Sequence, residues 1–383
     1  MTRYRFDQIA ENSTAKKKPE ESDRDRYVGL EHLDPGTLEV TRWGAEVTPK
    51  GDKLLMKKGD VLFGRRRAYQ KKVGIAPFDG IFSAHGMVLR PKADVVDPMF
   101  FPFFISSDIF LDEAIRVSVG SLSPTANWKD LRTLEFDLPS PGKQRELAGI
   151  LSEAESLKGH YRKMLTTCDD VVKSQFVEMF GGPDPTESDC PPVTIGELAA
   201  DIRYGTSKKA SDSGEFKYLR MNNMTDDGRL DLSDLKYIDL SGAELENAKV
   251  VRGDLLFNRT NSREKVGKTC VFNKNEPMVI AGYIVRVRFD ERVEPGYVSA
   301  FLNSSYGKGL LRKMAKGAVG QANISAKEMA KIELPLPPIE LQRSFLDFAA
   351  SVDKSKFAVQ KALDELNATT KKILNQELGL GDV

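Results

Sequence analysis

At 383 residues, with 40% hydrophobic and 30% charged side chains, the chain is long enough for two or more compact units and has the composition of a globular protein. Its 57 lysines and arginines nearly cancel 56 acidic residues, so the net charge of +1 neither supports nor excludes nucleic acid, and only local clusters can decide that question. The chain lacks an uncharged apolar run of about 18 residues and a signal-peptide core, and its three cysteines suit neither a disulfide framework nor a zinc cage; a cytoplasmic protein with no membrane span is expected.

Residues 1–140 read as a first domain of short strands broken by Gly, Pro, Asn and Asp, such as DVLFG and GIFSAHGMVLR, with a helix over 98–115. From Pro141 the pattern becomes continuously helical, over a first spacer segment of 141–182, and stops at Gly181-Gly182-Pro183. Its apolar or small positions, Ile150, Ala154, Leu157, Tyr161, Met164, Cys168 and Val171, alternate spacings of four and three, which predicts a heptad seam. Residues 183–337 repeat the strand-rich character, with DLLFN and MVIAGYIVRVRF and a helix over 295–314. Residues 338–383 form a second spacer helix with Phe345, Phe348, Val352, Ser355, Val359, Ala362, Leu366, Thr369 and Ile373 on its seam.

The two halves repeat one another. The segment 57–78, KKGDVLFGRRRAYQKKVGIAPF, recurs at 251–272 as VRGDLLFNRTNSREKVGKTCVF. Its anchors are Gly59-Asp60 with Gly253-Asp254, Arg65 with Arg259, and Lys72-Val73-Gly74 with Lys265-Val266-Gly267. A shift of 198 residues carries Gln144-Arg145 onto Gln342-Arg343 and superposes the helical seams without a gap. The expected fold is therefore two similar α+β domains separated by a two-helix antiparallel coiled coil, an internal pseudo-twofold repeat. Each helix, about 37 residues or roughly 55 Å long, buries its stripe on the other; the same stripe also suits dimerisation between chains. Leu147, Leu151, Phe176 and Phe357 fall outside this seam and offer an apolar surface to a partner protein.

Catalytic motifs are missing. Gly267-Lys268-Thr269 ends like a phosphate-binding loop, but Ser262 stands where its first glycine belongs. No Asn-Pro-Pro or Asp-Pro-Pro tetrad of amino-methyltransferases occurs, and His32, His85 and His160 have no metal spacing. Asp60 and Asp254 are matched carboxylates, yet an aspartate after a turn glycine ordinarily closes the turn. No catalytic or metal-binding residue is assigned.

Two loops in each half carry chemistry suited to DNA. The first packs Arg65, Arg66, Arg67, Tyr69, Lys71 and Lys72 after a strand, and its counterpart carries Arg259, Asn261, Arg263 and Lys265. Arginine bonds bidentately to guanine, asparagine to adenine, and lysine to phosphates. A loop that is polar in both halves but differs between them is what reading two half-sites requires; the alternative is a merely solvated loop. The second loop is SVGSLSPTANW (118–128), with Ser121, Ser123 and Asn127, matched by KGAVGQANIS (316–325), with Gln321 and Asn323. These groups suit phosphate or base edges, while Asn127 and Asn323 equally suit helix caps. Tyr204, Lys208, Lys209 and Asn222 are further candidates at the start of the second domain.

The succession G-D-[VL]-L-F-x-R, K-V-G, an A-N step and a Pro-rich lead into a long helix, occurring twice, resembles the specificity subunit of type I restriction–modification systems. The resemblance implies two target-recognition domains that read a bipartite double-stranded DNA site. It also implies paired helices that set spacing and dock two DNA adenine methyltransferase subunits, with restriction (translocase) subunits added. S-adenosylmethionine and ATP would then belong to those partners, leaving no cofactor in this chain. A coiled-coil adaptor, or an orphan DNA-binding decoy without enzyme partners, is the alternative function.

Overall fold

The computed structural model describes residues 1–181, 184, 188, 190–317 and 322–379. Two 40-residue helices, Pro141–Phe180 and Ile339–Leu378, dominate the chain. Two compact units are formed, one by Met1–Leu165 with Phe357–Val383 and the other by Thr166–Lys356. Each long helix therefore contributes one half to each unit.

In the first unit a four-stranded antiparallel sheet runs in the order Ala10–Ser13, Met87–Pro91, Val61–Phe63, Val73–Ile75. In the second unit Ala199–Tyr204, Ile284–Phe289, Leu255–Asn258 and Thr269–Val271 take the same order. A pair of helices follows each sheet, Phe101–Ser106 with Asp108–Arg116 and Pro295–Asn303 with Ser305–Met314. Phe6 centres the first core, its ring 5.0 Å from Phe110 and 5.5 Å from Trp128. Tyr297 centres the second, 5.0 Å from Phe180, with its buried hydroxyl donating to the Pro335 carbonyl at 2.7 Å.

The repeated Gly-Asp explains how the central strand of each sheet starts. Gly59 and Gly253 adopt φ of 90° and 96°, a region that glycine enters without a Cβ penalty. Asp60 then accepts from the Lys57 N–H at 2.7 Å, and Asp254 from the Val251 N–H at 2.9 Å, closing each turn. The same carboxylates also hold an arginine of the neighbouring strand: Arg90 at 2.7 and 2.8 Å, Arg288 at 2.8 and 3.2 Å. Burial against one fork-shaped cation stabilises a carboxylate that would otherwise be costly to desolvate.

Each domain closes on itself before its long helix begins. Thr2–Arg5 pairs antiparallel with Glu135–Leu138, and Pro192–Thr194 with Glu333–Pro335. Gln144 and Gln342, fully buried, then tie each helix to its own domain. Gln144 accepts from the Asp97 N–H and donates to the Pro139 carbonyl; Gln342 accepts from the Glu294 N–H and donates to the Pro337 carbonyl.

Within the first unit, Leu147 and Leu151 of the first helix share a core with Leu374 and Leu378 of the second, and Lys143 pairs with Glu377 at 3.2 Å. Within the second unit, Phe176 and Phe180 lie 5.4 and 5.5 Å from Phe345. In each unit the start of one helix meets the end of the other, so the helices run antiparallel. The seam on the first helix differs from the expected one. Ile150, Leu157 and Met164 are 46%, 41% and 49% exposed, whereas Leu147, Leu151 and Phe176, expected outside it, are buried. The seam is rotated about the helix axis and takes in Lys158, which is 4% exposed. Ala154, Tyr161 and Cys168 flank it half-buried, as do Phe348, Val352, Val359, Ala362, Leu366 and Ile373 on the second helix. Phe357 is 74% exposed.

Candidate nucleic-acid interface

In the first unit three loops are knitted together by backbone hydrogen bonds at one end of the sheet. The Ala126 N–H donates to the Arg65 carbonyl at 3.0 Å, the Arg66 N–H to His85 at 3.2 Å, and the Arg67 N–H to Pro124 at 2.6 Å. Arg67 and Lys71 hold positive φ, 55° and 50°, which a non-glycine residue adopts only when its surroundings enforce it. The side chains follow. Arg65 donates to Asn127 Oδ1 at 3.3 Å, Arg66 meets His85 Nε2 at 3.3 Å, and Arg67 reaches Ser123 Oγ at 3.4 Å. Arg66, Arg67, Tyr69 and Ser121 are exposed. Arg65, Arg66 and Arg67 have no carboxylate partner among the described residues, so their charge faces outward.

Burial, and then the charges of Arg66, Arg65 and Lys53, push the His85 pKa below the usual histidine value. The ring is therefore neutral near pH 7, and a neutral Nε2 can accept from Arg66. Two of the expected residues are engaged within the protein instead. Lys71 pairs with Asp108 and Asp112 at 2.8 and 2.7 Å, and Lys72 donates to the Leu30 carbonyl at 2.6 Å.

The second unit builds the same frame from different side chains. The Arg259 N–H donates to Tyr283 and its carbonyl accepts from Ile324, both at 2.9 Å. The Arg259 guanidinium lies 5.1 Å from the centre of the Tyr204 ring, a cation–π contact, and Tyr204 Oη accepts from the Ala326 N–H at 3.0 Å. Arg259 Nε is buried without a hydrogen-bond partner. Asn261 Oδ1 accepts from the Ser262 N–H, and Asn323 Oδ1 from Thr260 Oγ1. Arg263, Lys265, Lys209 and Asn222 are exposed, while Lys208 pairs with Glu244 at 2.6 Å. Gln321 lies outside the described residues.

Hydrogen bonding corrects two of the expected equivalences. Gly64 donates to Lys72, and Asn258 donates to Lys268, so Lys72 corresponds to Lys268 rather than Lys265. Ala126 and Ile324 bond to the matched arginines, so Asn127 corresponds to Ser325 and the two Ala-Asn steps are not equivalent. Ser325, not Asn323, caps the helix Ala326–Met329, accepting from the Glu328 N–H at 3.2 Å. Asn127 precedes Trp128–Leu131 but makes no cap bond, its oxygen being turned to Arg65. His85 and Tyr283 were not among the expected residues. Their shared signal is position: each lies two residues before a strand residue, Met87 or Val285, that faces the matched Phe63 or Phe257.

A family model described as "Type I restriction modification DNA specificity domain" matches residues 4–160 and 188–376. The chain belongs to this family. The EcoKI specificity subunit of Escherichia coli (strain K12) is 24% identical over 353 residues, spanning 86% of this chain and 74% of that protein. The MjaVIII specificity subunit of Methanocaldococcus jannaschii is 21% identical over 316 residues, 77% of this chain and 73% of that protein. The fold is similar to the S subunit from M. genitalium (TM-score 0.53, 13% identity, 100% of this chain and 96% of that one). It is also similar to a chain from a study of assembly and conformational transition of the type I R-M system (TM-score 0.56, 19% identity, 98% and 96%). The protein is thus a DNA sequence-specificity subunit of the type I restriction–modification kind.

Proposed function

We propose that the two domains read the two parts of one bipartite DNA target, the first through Arg65, Arg66, Arg67 and His85, the second through Arg259, Arg263, Lys265 and Tyr283. The observation that carries this reading is the common backbone position of Arg65 and Arg259. Each is held by the same pair of loops, yet is oriented by an amide in one half and an aromatic ring in the other. Shared placement with unlike support suits two readers of unlike sequence.

The chain itself contributes no chemistry: methyl transfer with S-adenosylmethionine and ATP-driven cleavage belong to partner subunits in the cytoplasm. Two methyltransferase subunits dock, one for each copy of the domain-plus-helix unit. The exposed apolar positions Ile150, Leu157 and Met164, seven residues apart on the first helix, supply part of that surface in place of the expected Leu147 and Leu151.

Mapping modified adenines in cells carrying the complex tests the reading. Arg65→Ala is expected to relax one half of the target and Arg259→Ala the other, each lowering discrimination by about 1–3 kcal/mol. If either substitution relaxed both halves alike, or neither changed the motif, the assignment would fail.

A further inference from the structure

The first unit contains a cavity of about 520 Å³ where residues 35–38, the helix Asp108–Arg116 and both long helices meet. That volume falls within the range of small-molecule sites. Its apolar wall is made by Leu38, Val73, Phe103, Leu111 and Leu374. Its charges do not balance: Lys71, Lys158, Arg162 and Lys371 line it against only Asp108 and Glu155. Asp108 is shared by Lys71 and Lys371, each at 2.8 Å.

The deepest cation is the least satisfied. The Lys158 side chain is 5% exposed, and its ammonium has one hydrogen-bond partner among the described residues, Glu155 Oε1 on its own helix at 2.9 Å. An ammonium offers three donors, and a buried charge left under-paired is costly. On the same wall, Asn375 Oδ1 is buried with no hydrogen-bond partner. The second unit resolves the matching position differently. Lys356, 198 residues on, is paired with Asp169 of the other helix, and Asp353, the counterpart of Glu155, is held by Arg229. Asp169 corresponds under the same shift to Asn367 in the first unit, which lines the cavity and carries no charge.

We propose that this cavity is a binding site for a small phosphate monoester carried on a flat apolar body, the chemistry of a nucleoside monophosphate. Two surplus positive charges match the roughly −2 charge of a phosphate monoester near pH 7. The phosphate takes the spare Lys158 donors, the flat body packs on the apolar wall, and an N–H of the ligand meets Asn375 Oδ1. The site is separate from the reading loops.

Calorimetric titration and thermal unfolding of the full chain with AMP test this, with inorganic phosphate as a second probe. AMP is expected to bind and raise Tm, and to bind more tightly than inorganic phosphate. Lys158→Met is expected to weaken AMP binding by about tenfold or more, the loss of a charge-assisted hydrogen bond. Lys371→Gln, at a side chain 65% exposed, weakens it several-fold without threatening the fold. Arg66→Ala with Arg67→Ala leaves it unchanged, which separates this site from the DNA-facing loops. No AMP binding at millimolar concentration, equal affinity for AMP and inorganic phosphate, or unchanged AMP affinity in Lys371→Gln would each overturn the proposal, even if Lys158→Met failed to fold.

Discussion

The two domains agree where they meet their long helices and diverge at their far sheets. In both, three short strands have one arrangement: Tyr27–Val28 parallel to Gly80–Phe82 with Lys53–Met56 antiparallel beyond, matched by Phe216–Leu219, Met278–Ile280 and Lys249–Val250. A fourth strand is then added on opposite edges. Lys16–Lys17 joins Lys53–Met56 in the first domain, and Lys236–Ile238 joins Phe216–Leu219 in the second. Sheet edges present unpaired backbone groups that tolerate such additions, whereas the central strands are committed by burial on both sides. The difference teaches that the Gly-Asp turn, its arginine and the buried glutamine form the fixed frame, and that edges and loops vary freely around it.

The largest test of that comparison lengthens both helices together. One added heptad in each should lengthen the pair by about 10 Å and the target's spacer by roughly 3 base pairs, read by mapping methylated adenines. An unchanged spacer would mean that the helices do not set it. Next, Gln144→Leu and Gln342→Leu should each cost about 3 kcal/mol in denaturant unfolding, because a buried N–H and a buried carbonyl lose their partners. Unequal losses would show that the two anchors are alike in geometry only. Asp60→Ala and Asp254→Ala should cost about 2 kcal/mol each; Arg90 and Arg288 remain partly solvated and recover some of the loss.

The smallest effect separates the halves by pH. The Lys316 ammonium, then the Ser325 N–H and hydroxyl, hold the Glu328 carboxyl down to about 2. A carboxyl lowered on folding stabilises the folded state above its unfolded value of 4.5, and that contribution is lost as pH falls from 4.5 towards 2. Glu328→Gln should therefore flatten the acid-side slope of thermal stability in that window. The first domain, whose Asn127 makes no cap bond, has no such cap to lose.

The duplication, the α+β character and both long helices were legible because repeat order and periodicity survive without knowledge of contacts. The seam was not. The first helix carries two apolar stripes, and burial selects the one containing Lys158, a residue that any count of hydrophobic positions discards. The reading loops were legible as polar insertions, but matching letters paired Lys72 with Lys265 and Asn127 with Asn323. The second loop is two residues longer, so only hydrogen bonds reveal that Lys268 and Ser325 are the true counterparts. His85 and Tyr283 share neither charge nor size, and nothing in composition marks them.

The antiparallel pairing of Thr2–Arg5 with Glu135–Leu138, and of Pro192–Thr194 with Glu333–Pro335, brings the chain into and out of each domain side by side. Everything between those strands is in effect a cassette clipped at its base. Exchange of one cassette for a foreign sequence of the same kind leaves the glutamine anchors and the helices untouched. New target preferences can thus arise by recombination at two short, fixed junctions instead of by gradual change throughout the chain.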